Sequence, residues 1–178
     1  MKILLALLLS ISLNAFATVG QKAPDFDVAT WINGDGVSIE DLRGKVVIVD
    51  FFQLWCPGCN TFTIPLMHKW EKKYQQQIKE GKLEILSIHT VFEGHSIQTL
   101  TALKAFLKIR GIDHLVGNDR LIKGERLPET MKKYNTRGTP EVAIIDKNGI
   151  IRFQRFGGFN VVSAENLIER LLETFTQI

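Results

Sequence analysis

The sequence is poor in cysteine, with only Cys56 and Cys59 among 178 residues. There is no second Cys-x-x-Cys pair, so cysteine alone cannot supply the four ligands of a structural zinc site. No nucleotide-binding or flavin-binding motif is present, and we expect no bound cofactor. The formal net charge of +3 is too small to indicate a nucleic-acid partner or binding to an anionic membrane. A chain of this length is expected to form one domain.

Long apolar runs are also scarce, and the longest one lies at the N-terminus. Lys2 precedes the apolar stretch 3–13, and Ala15-Phe16-Ala17 forms a small-x-small cleavage pattern. The run falls short of the roughly 20 residues that span a bilayer, which disfavours an uncleaved anchor. No cysteine lies near Ala17, so a lipid-anchored lipoprotein is not expected. We therefore predict a signal peptide over 1–17, a mature domain over 18–178, and export, in a bacterium to the periplasm.

The two cysteines lie between a strand pattern and a helix pattern. Val46 to Phe52 reads as a buried strand, and a helical composition follows from Pro57 to Lys79. This context places Cys56 at a helix N-terminus, where the macrodipole favours a thiolate. A structural disulfide closing so short a loop would remove little entropy from the unfolded chain. A zinc site would need further ligands, and a redox-active dithiol is therefore the favoured interpretation.

The chain resembles the thioredoxin superfamily, in particular the extracytoplasmic TlpA-type or redoxin thiol–disulfide oxidoreductases. The resemblance is carried by Trp55-Cys56-Pro57-Gly58-Cys59, by Asp50 six positions before Cys56, and by Gly138-Thr139-Pro140 before the strand pattern 142–146. It covers about residue 20 to the C-terminus. It implies an α/β, thioredoxin-like fold with a central mixed β-sheet and helices on both faces. The pattern 26–31, the turn Asn33-Gly34-Asp35-Gly36 and the pattern 37–39 add an expected N-terminal β-hairpin.

The resemblance also implies roles for individual residues. Cys56 is expected to be the nucleophile, and Cys59 is expected to resolve the mixed disulfide, which makes the two a redox-active pair. Asp50, an acid in an otherwise apolar strand, is a candidate base for Cys59; a solvent-exposed Asp at the strand end is the competing interpretation. Pro140 corresponds to a cis-proline that packs against the dithiol. Trp55 and Thr139 are expected to contact the substrate.

Three functions remain open at this point. The favoured one is an exported reductant of protein disulfides with a membrane-bound electron donor, contributing to cell redox homeostasis. The second is a redoxin-type thiol peroxidase, although Val49 and Gln53 occupy the positions at which peroxiredoxins carry proline and threonine or serine. The third is a non-catalytic metal or thiol binding module, which would need His89 or His95 near the cysteines. Pro57-Gly58 reverses the order found in thioredoxin, so the direction of electron flow does not transfer.

Overall fold

The computed structural model describes residues 18–173. The predicted signal peptide, 1–17, and the last residues of the mature domain lie outside the described residues. The strands are β1 (Val28–Ile32), β2 (Val46–Phe52), β3 (Leu83–His89), β4 (Leu115–Asp119), β5 (Glu141–Ile145) and β6 (Ile151–Phe156). The helices are α1 (Ile64–Lys73), α2 (Gln75–Lys79), α3 (Leu100–Arg110), α4 (Glu129–Lys133) and α5 (Val161–Glu173), and a π-helical turn (Cys59–Thr63) precedes α1.

The strands form one mixed sheet in the order β1-β4-β3-β2-β5-β6. β2, β3 and β4 are parallel, whereas β1, β5 and β6 each run antiparallel to a neighbour. Every residue of β2 is buried, as expected for a strand of Val, Ile and Phe that is covered on both faces. The predicted α/β class and mixed central sheet are thus confirmed.

The two faces of the sheet are covered unequally. Val46 and Ile48 pack against side chains of α1 and α5, and Phe52 packs against α3. On the opposite face, Val49 packs against the irregular segment before β2 and against Tyr134, which directly follows α4. Helices therefore lie on both faces, but one face is covered mostly by α4 and by non-helical segments.

The predicted N-terminal hairpin is wrong. β1 is present, but residues 37–39 do not form a strand, and β1 pairs with β4 at the edge of the sheet. The side chain of Asp41 accepts hydrogen bonds from both the N–H and the Oγ of Ser38, at 2.8 and 2.6 Å. The N–H of Ile39 donates to Asp25 Oδ1 at 2.8 Å. These side-chain acceptors take the donors that a second hairpin strand would need.

The helix after the cysteines is divided, where a single helix was expected from Pro57 to Lys79. The N–H of Ile64 bonds to the carbonyl of Cys59, five residues earlier, which creates the π-helical turn. Pro65 directly follows and has no N–H to continue the regular pattern, so the irregularity has an identifiable cause. A second break at Tyr74, with φ −105° and ψ 20°, separates α1 from α2.

Candidate active site

The two cysteines lie just beyond the C-terminal end of β2 and are joined by a disulfide. Their Cα atoms are 5.2 Å apart. The N–H of Cys59 points at Cys56 Sγ, 3.1 Å away. Cys59 is completely buried, whereas Cys56 retains 7% of its surface. Only one of the two residues is therefore open to a second molecule.

An amide side chain holds the start of the helix in place. Asn60 Nδ2 donates to the carbonyl oxygens of Leu54 and Cys56, at 2.9 and 3.0 Å. The Asn60 carbonyl in turn accepts a hydrogen bond from Arg110 Nη2, at the end of α3, at 2.9 Å. These bonds tie the turn that carries Cys56 to two separate parts of the chain. Asn60 could not be identified from the sequence, because a single Asn in a helix pattern carries no distinctive signal.

Pro140 lies directly against the dithiol turn. The Thr139–Pro140 peptide bond is cis. A Cβ added to Gly58 would lie 2.9 Å from Pro140 Cδ, so this contact requires glycine between the cysteines. Pro140 is buried and Thr139 is half-buried. The loop predicted to face the cysteines is thus placed beside them.

Asp50 is buried in β2 and is 1% exposed. Neither carboxylate oxygen accepts a hydrogen bond from a group within residues 18–173. Burial raises the pKa of Asp50 to about 7, and the nearby Thr63 hydroxyl opposes that rise only in part. Because Thr63 ends the π-helical turn that begins at Cys59, the carboxyl lies beneath the turn that carries the buried cysteine. The alternative of a solvent-exposed Asp50 is excluded.

Trp55 forms an exposed wall of the site. Its side chain is 42% exposed, and Nε1 donates to Gln53 Oε1 at 2.8 Å. The indole lies over Gly94, where any added Cβ would overlap the ring. Gly94 has φ +63°, so glycine there suits the left-handed backbone and also leaves room for the indole ring. The loop after β3 is therefore fitted to Trp55.

A buried amide network connects that loop to the cysteine turn. Gln98 Nε2 donates to Gln53 Oε1 at 3.1 Å and to the carbonyl of Glu93 at 3.0 Å. Gln98 Oε1 accepts from the N–H of Leu54 at 2.9 Å and contacts His89 Nε2 at 3.3 Å. Both glutamines are buried. No motif in the sequence marks this pair, although a polar residue directly after a buried strand, as at Gln53, is a signal that could have indicated it.

The two histidines of this region occupy different environments. His89 is fully buried, and its Nδ1 contacts Asn118 Oδ1 at 3.2 Å. Burial lowers the pKa of His89, with the two amide contacts opposing the change. His95 is exposed on the loop. Within residues 18–173, no group of three or more His, Cys, Asp and Glu side chains is arranged to hold a metal ion.

The chain is similar to known proteins. Residues 19–154 match the AhpC/TSA family. The chain belongs to that family. Within the thioredoxin superfamily, the chain is 28% identical over 153 residues to the thiol-disulfide oxidoreductase ResA of Bacillus thuringiensis, covering 86% of this chain and 78% of that protein.

Solved structures agree with this family membership. A thioredoxin-like superfamily protein superimposes with a TM-score of 0.82 and 38% identity, covering 88% of this chain and 99% of its own. A thiol-disulfide isomerase from Corynebacterium glutamicum gives a TM-score of 0.76 and 39% identity, covering 86% and 98%. The thioredoxin-like fold is confirmed, and the chain is a thioredoxin-like thiol–disulfide oxidoreductase. Within the described part of the chain, no helix is both long and apolar enough to cross a membrane.

Proposed function

We propose that this AhpC/TSA family member is an exported reductant of protein disulfides, with Cys56 as the nucleophile and Cys59 as the resolving thiol. The observation that carries the proposal is the difference in exposure between the two cysteines. Cys56 is the partly exposed member of the pair, and Cys59 is fully buried behind it. An incoming disulfide can therefore reach Cys56 only.

The exchange proceeds in two balanced steps. The Cys56 thiolate attacks one sulfur of the substrate disulfide, a Cys56–substrate bond forms, and the other substrate sulfur leaves as a thiolate that takes up a proton. Cys59 then loses its proton and attacks Cys56 Sγ, which releases the second substrate thiol and closes the Cys56–Cys59 disulfide. Two electrons pass from the enzyme to the substrate. The N–H of Cys59, 3.1 Å from Cys56 Sγ, stabilises the attacking thiolate.

Asp50 is the proposed acceptor for the Cys59 proton. Its carboxyl lies under the turn that begins at Cys59, and its pKa of about 7 suits proton transfer near neutral pH. A buried carboxylate also disfavours a Cys59 thiolate beside it, so that thiolate adds little stability to the dithiol form. This favours a reducing couple over an oxidising one.

The substrate contacts proposed are Trp55, Thr139 and Pro140. The exposed indole of Trp55 offers an apolar surface beside Cys56. Thr139 lies two residues before β5, so an extended substrate segment can pair with its backbone as an added strand. Protein disulfides, which present such segments, are therefore the proposed substrate class.

Export and re-reduction complete the proposal. The pattern over residues 1–17 supports secretion, and an oxidising compartment would favour disulfide substrates. Electrons then arrive by thiol exchange from a membrane-bound donor, since the sequence carries no nucleotide or flavin motif. Fractionation of the native host, with mass spectrometry of the mature N-terminus, tests export: a chain beginning at Thr18 outside the cytoplasm is expected, and an intact Met1 chain in the cytoplasm would contradict it.

Trapping of the mixed disulfide tests the assignment of the nucleophile. Reduced Cys59→Ser protein is mixed with a disulfide-bonded protein substrate, and covalent adducts are resolved by non-reducing electrophoresis and mass spectrometry. We expect a stable adduct through Cys56. The matched Cys56→Ser variant should form none, because the Cys59 sulfur is fully buried. Equal trapping by both variants would show that the exposure of Cys56 does not select the nucleophile.

The family match favours a second candidate function, a thiol peroxidase. Residues 19–154 match AhpC/TSA, but Val49 and Gln53 replace the proline and hydroxyl residues of the peroxiredoxin pattern. Gln53 is buried, and its Oε1 accepts hydrogen bonds from Trp55 and Gln98. These bonds hold the side chain in the wall of the site. Consumption of hydroperoxide at a rate exceeding that of protein disulfide reduction would favour this second function.

A further inference from the structure

A second polar cluster lies on the face of the sheet that carries Asp50, and the redox steps above leave it without a role. Ser87 Oγ is 2.8 Å from His114 Nε2. His114 Nδ1 is 2.7 Å from Glu71 Oε1, and Glu71 Oε2 is 3.2 Å from His68 Nδ1. Four polar side chains from α1, β3 and the residue before β4 are therefore linked in one line.

Protonation states in this line follow from its partners. Burial raises the pKa of Glu71, but hydrogen bonds from His114 and His68 outweigh that effect and leave its pKa below the usual range. An ionised Glu71 requires His114 to carry a proton on Nδ1. In neutral His114, Nε2 is then an acceptor, and the Ser87 hydroxyl donates to it. The line is oriented to pass a proton from Ser87 towards Glu71.

The inner end of the line lies beside Asp50. Asp50 and Ser87 are direct partners on the parallel strands β2 and β3, and partners in a parallel ladder project from the same face of the sheet. Neighbouring strands are about 4.8 Å apart, so the two side chains stand next to each other. The Asp50 oxygens accept no hydrogen bond from the described residues, so a transfer to Ser87 needs the two neighbouring side chains to turn towards each other.

The outer end of the line reaches solvent. Exposure rises along it, from 1% for Asp50 and 3% for Ser87 to 8%, 28% and 36% for the side chains of His114, Glu71 and His68. His114 and Glu71 both line an open cavity of about 390 Å³. A proton that reaches His114 is therefore at the edge of bulk water.

The arrangement shares residue types with the triad of serine hydrolases, but it does not fit acyl transfer. Ser87 is buried in the middle of β3, with β2 and β4 paired on either side. Its backbone N–H belongs to the sheet and is not free to stabilise an oxyanion. An acyl substrate could not reach the hydroxyl without opening the sheet.

We propose that Ser87, His114 and Glu71 form the route by which Asp50 exchanges its proton with solvent. This inference rests on the proposed role of Asp50 in accepting the Cys59 proton. The Asp50 carboxylic acid gives its proton to Ser87 Oγ while the Ser87 proton moves to His114 Nε2. The resulting imidazolium, paired with Glu71, loses its Nδ1 proton to the cavity. Water in the cavity then takes the Nε2 proton and returns one to Nδ1, which restores the starting tautomer. One proton leaves for each one that Asp50 received, and no electrons move.

Infrared spectroscopy after a rapid pH jump tests the route directly. The C=O band of protonated Asp50 is identified by its loss in Asp50→Asn, and its decay after a jump to high pH gives the deprotonation rate. We expect Ser87→Ala and His114→Gln to slow that decay roughly tenfold or more. Ser87→Thr keeps the hydroxyl and should retain the wild-type rate. His95→Gln removes an exposed histidine outside the line and is the matched control.

A rescue experiment separates proton transport from structural damage. In His114→Ala, added imidazole should restore a fast decay, because the small base can enter the open cavity. Decay rates within twofold of wild type in both Ser87→Ala and His114→Gln would overturn the route, and so would equal slowing in Ser87→Thr and Ser87→Ala. Failure of the proton route would not contradict the redox function, which is tested separately by trapping at Cys56. The role of Asp50 is tested separately by the turnover of Asp50→Asn.

Discussion

Replacing Asp50 with asparagine should stabilise the oxidised protein near pH 8, by an amount that shrinks as pH falls. The carboxyl is buried and accepts no hydrogen bond within residues 18–173, so its charged form is poorly solvated in the folded state. Its pKa rises from 3.8 to about 7, mainly because of burial. An acid with a raised pKa stabilises the fold below its unfolded pKa, and that contribution is lost as pH rises through the folded pKa.

The size of the effect follows from the two pKa values. At about 1.4 kcal/mol per pKa unit, the full shift corresponds to about 4 kcal/mol near pH 8, where Asp50 is ionised in both states. Near pH 5 the folded carboxyl is protonated, and the difference is only about 2 kcal/mol. The unsatisfied amide of asparagine subtracts about 1–3 kcal/mol at every pH. The advantage of Asp50→Asn should therefore grow by roughly 2.5 kcal/mol between pH 5 and pH 8.

Guanidinium unfolding under non-reducing conditions measures this difference. Wild type and Asp50→Asn are unfolded at intervals between pH 5 and pH 8, and the free energies of unfolding are subtracted at each pH. Asp35→Asn, which neutralises an exposed acid in the turn after β1, is the matched control. A difference that stays constant with pH, or that turns in favour of wild type at high pH, would refute the reasoning about the buried carboxyl.

Two glycine substitutions test the walls of the site, with Gly158→Ala as control because a Cβ at Gly158 meets open space. Gly94→Ala should displace the Trp55 ring and shift its fluorescence to the red, at a cost in stability of about 1 kcal/mol or more for the left-handed backbone; an unchanged spectrum would contradict the contact. Gly58→Ala should collide with Pro140 and lower the free energy of unfolding by about 1–3 kcal/mol, with slower disulfide exchange. Wild-type stability and rate in Gly58→Ala would show that Pro140 does not press on the dithiol turn.

The parts of the fold that could be predicted are those set by local pattern. The apolar run of β2 and the Cys-x-x-Cys that follows it placed the dithiol at the end of a central strand. The spacing from Asp50 to Cys56 indicated the buried acid near the dithiol. The Thr139–Pro140 pair indicated the cis-proline loop beside it. Each of these signals lies within a few residues of the feature it predicts.

The features that escaped prediction depend on contacts between distant segments. Gln98 reaches Gln53 across 45 positions of sequence, and His114 reaches Glu71 across 43. Neither pair has a periodicity or a motif that a single sequence displays. The hairpin prediction was wrong for a related reason. Ser38 and Ile39 donate hydrogen bonds to side chains, and apolar alternation in the sequence does not indicate such bonds.

A redox titration of the mature protein tests the central claim most directly. The protein is equilibrated with glutathione or dithiothreitol buffers, and the Cys56–Cys59 couple is followed by thiol counting and Trp55 fluorescence. We predict a reversible two-electron couple below about −220 mV, in the range of reductants that need a dedicated donor. A couple near −120 mV would make the protein an oxidant and contradict the direction of electron flow. The absence of any reversible couple would contradict thiol–disulfide exchange at this site.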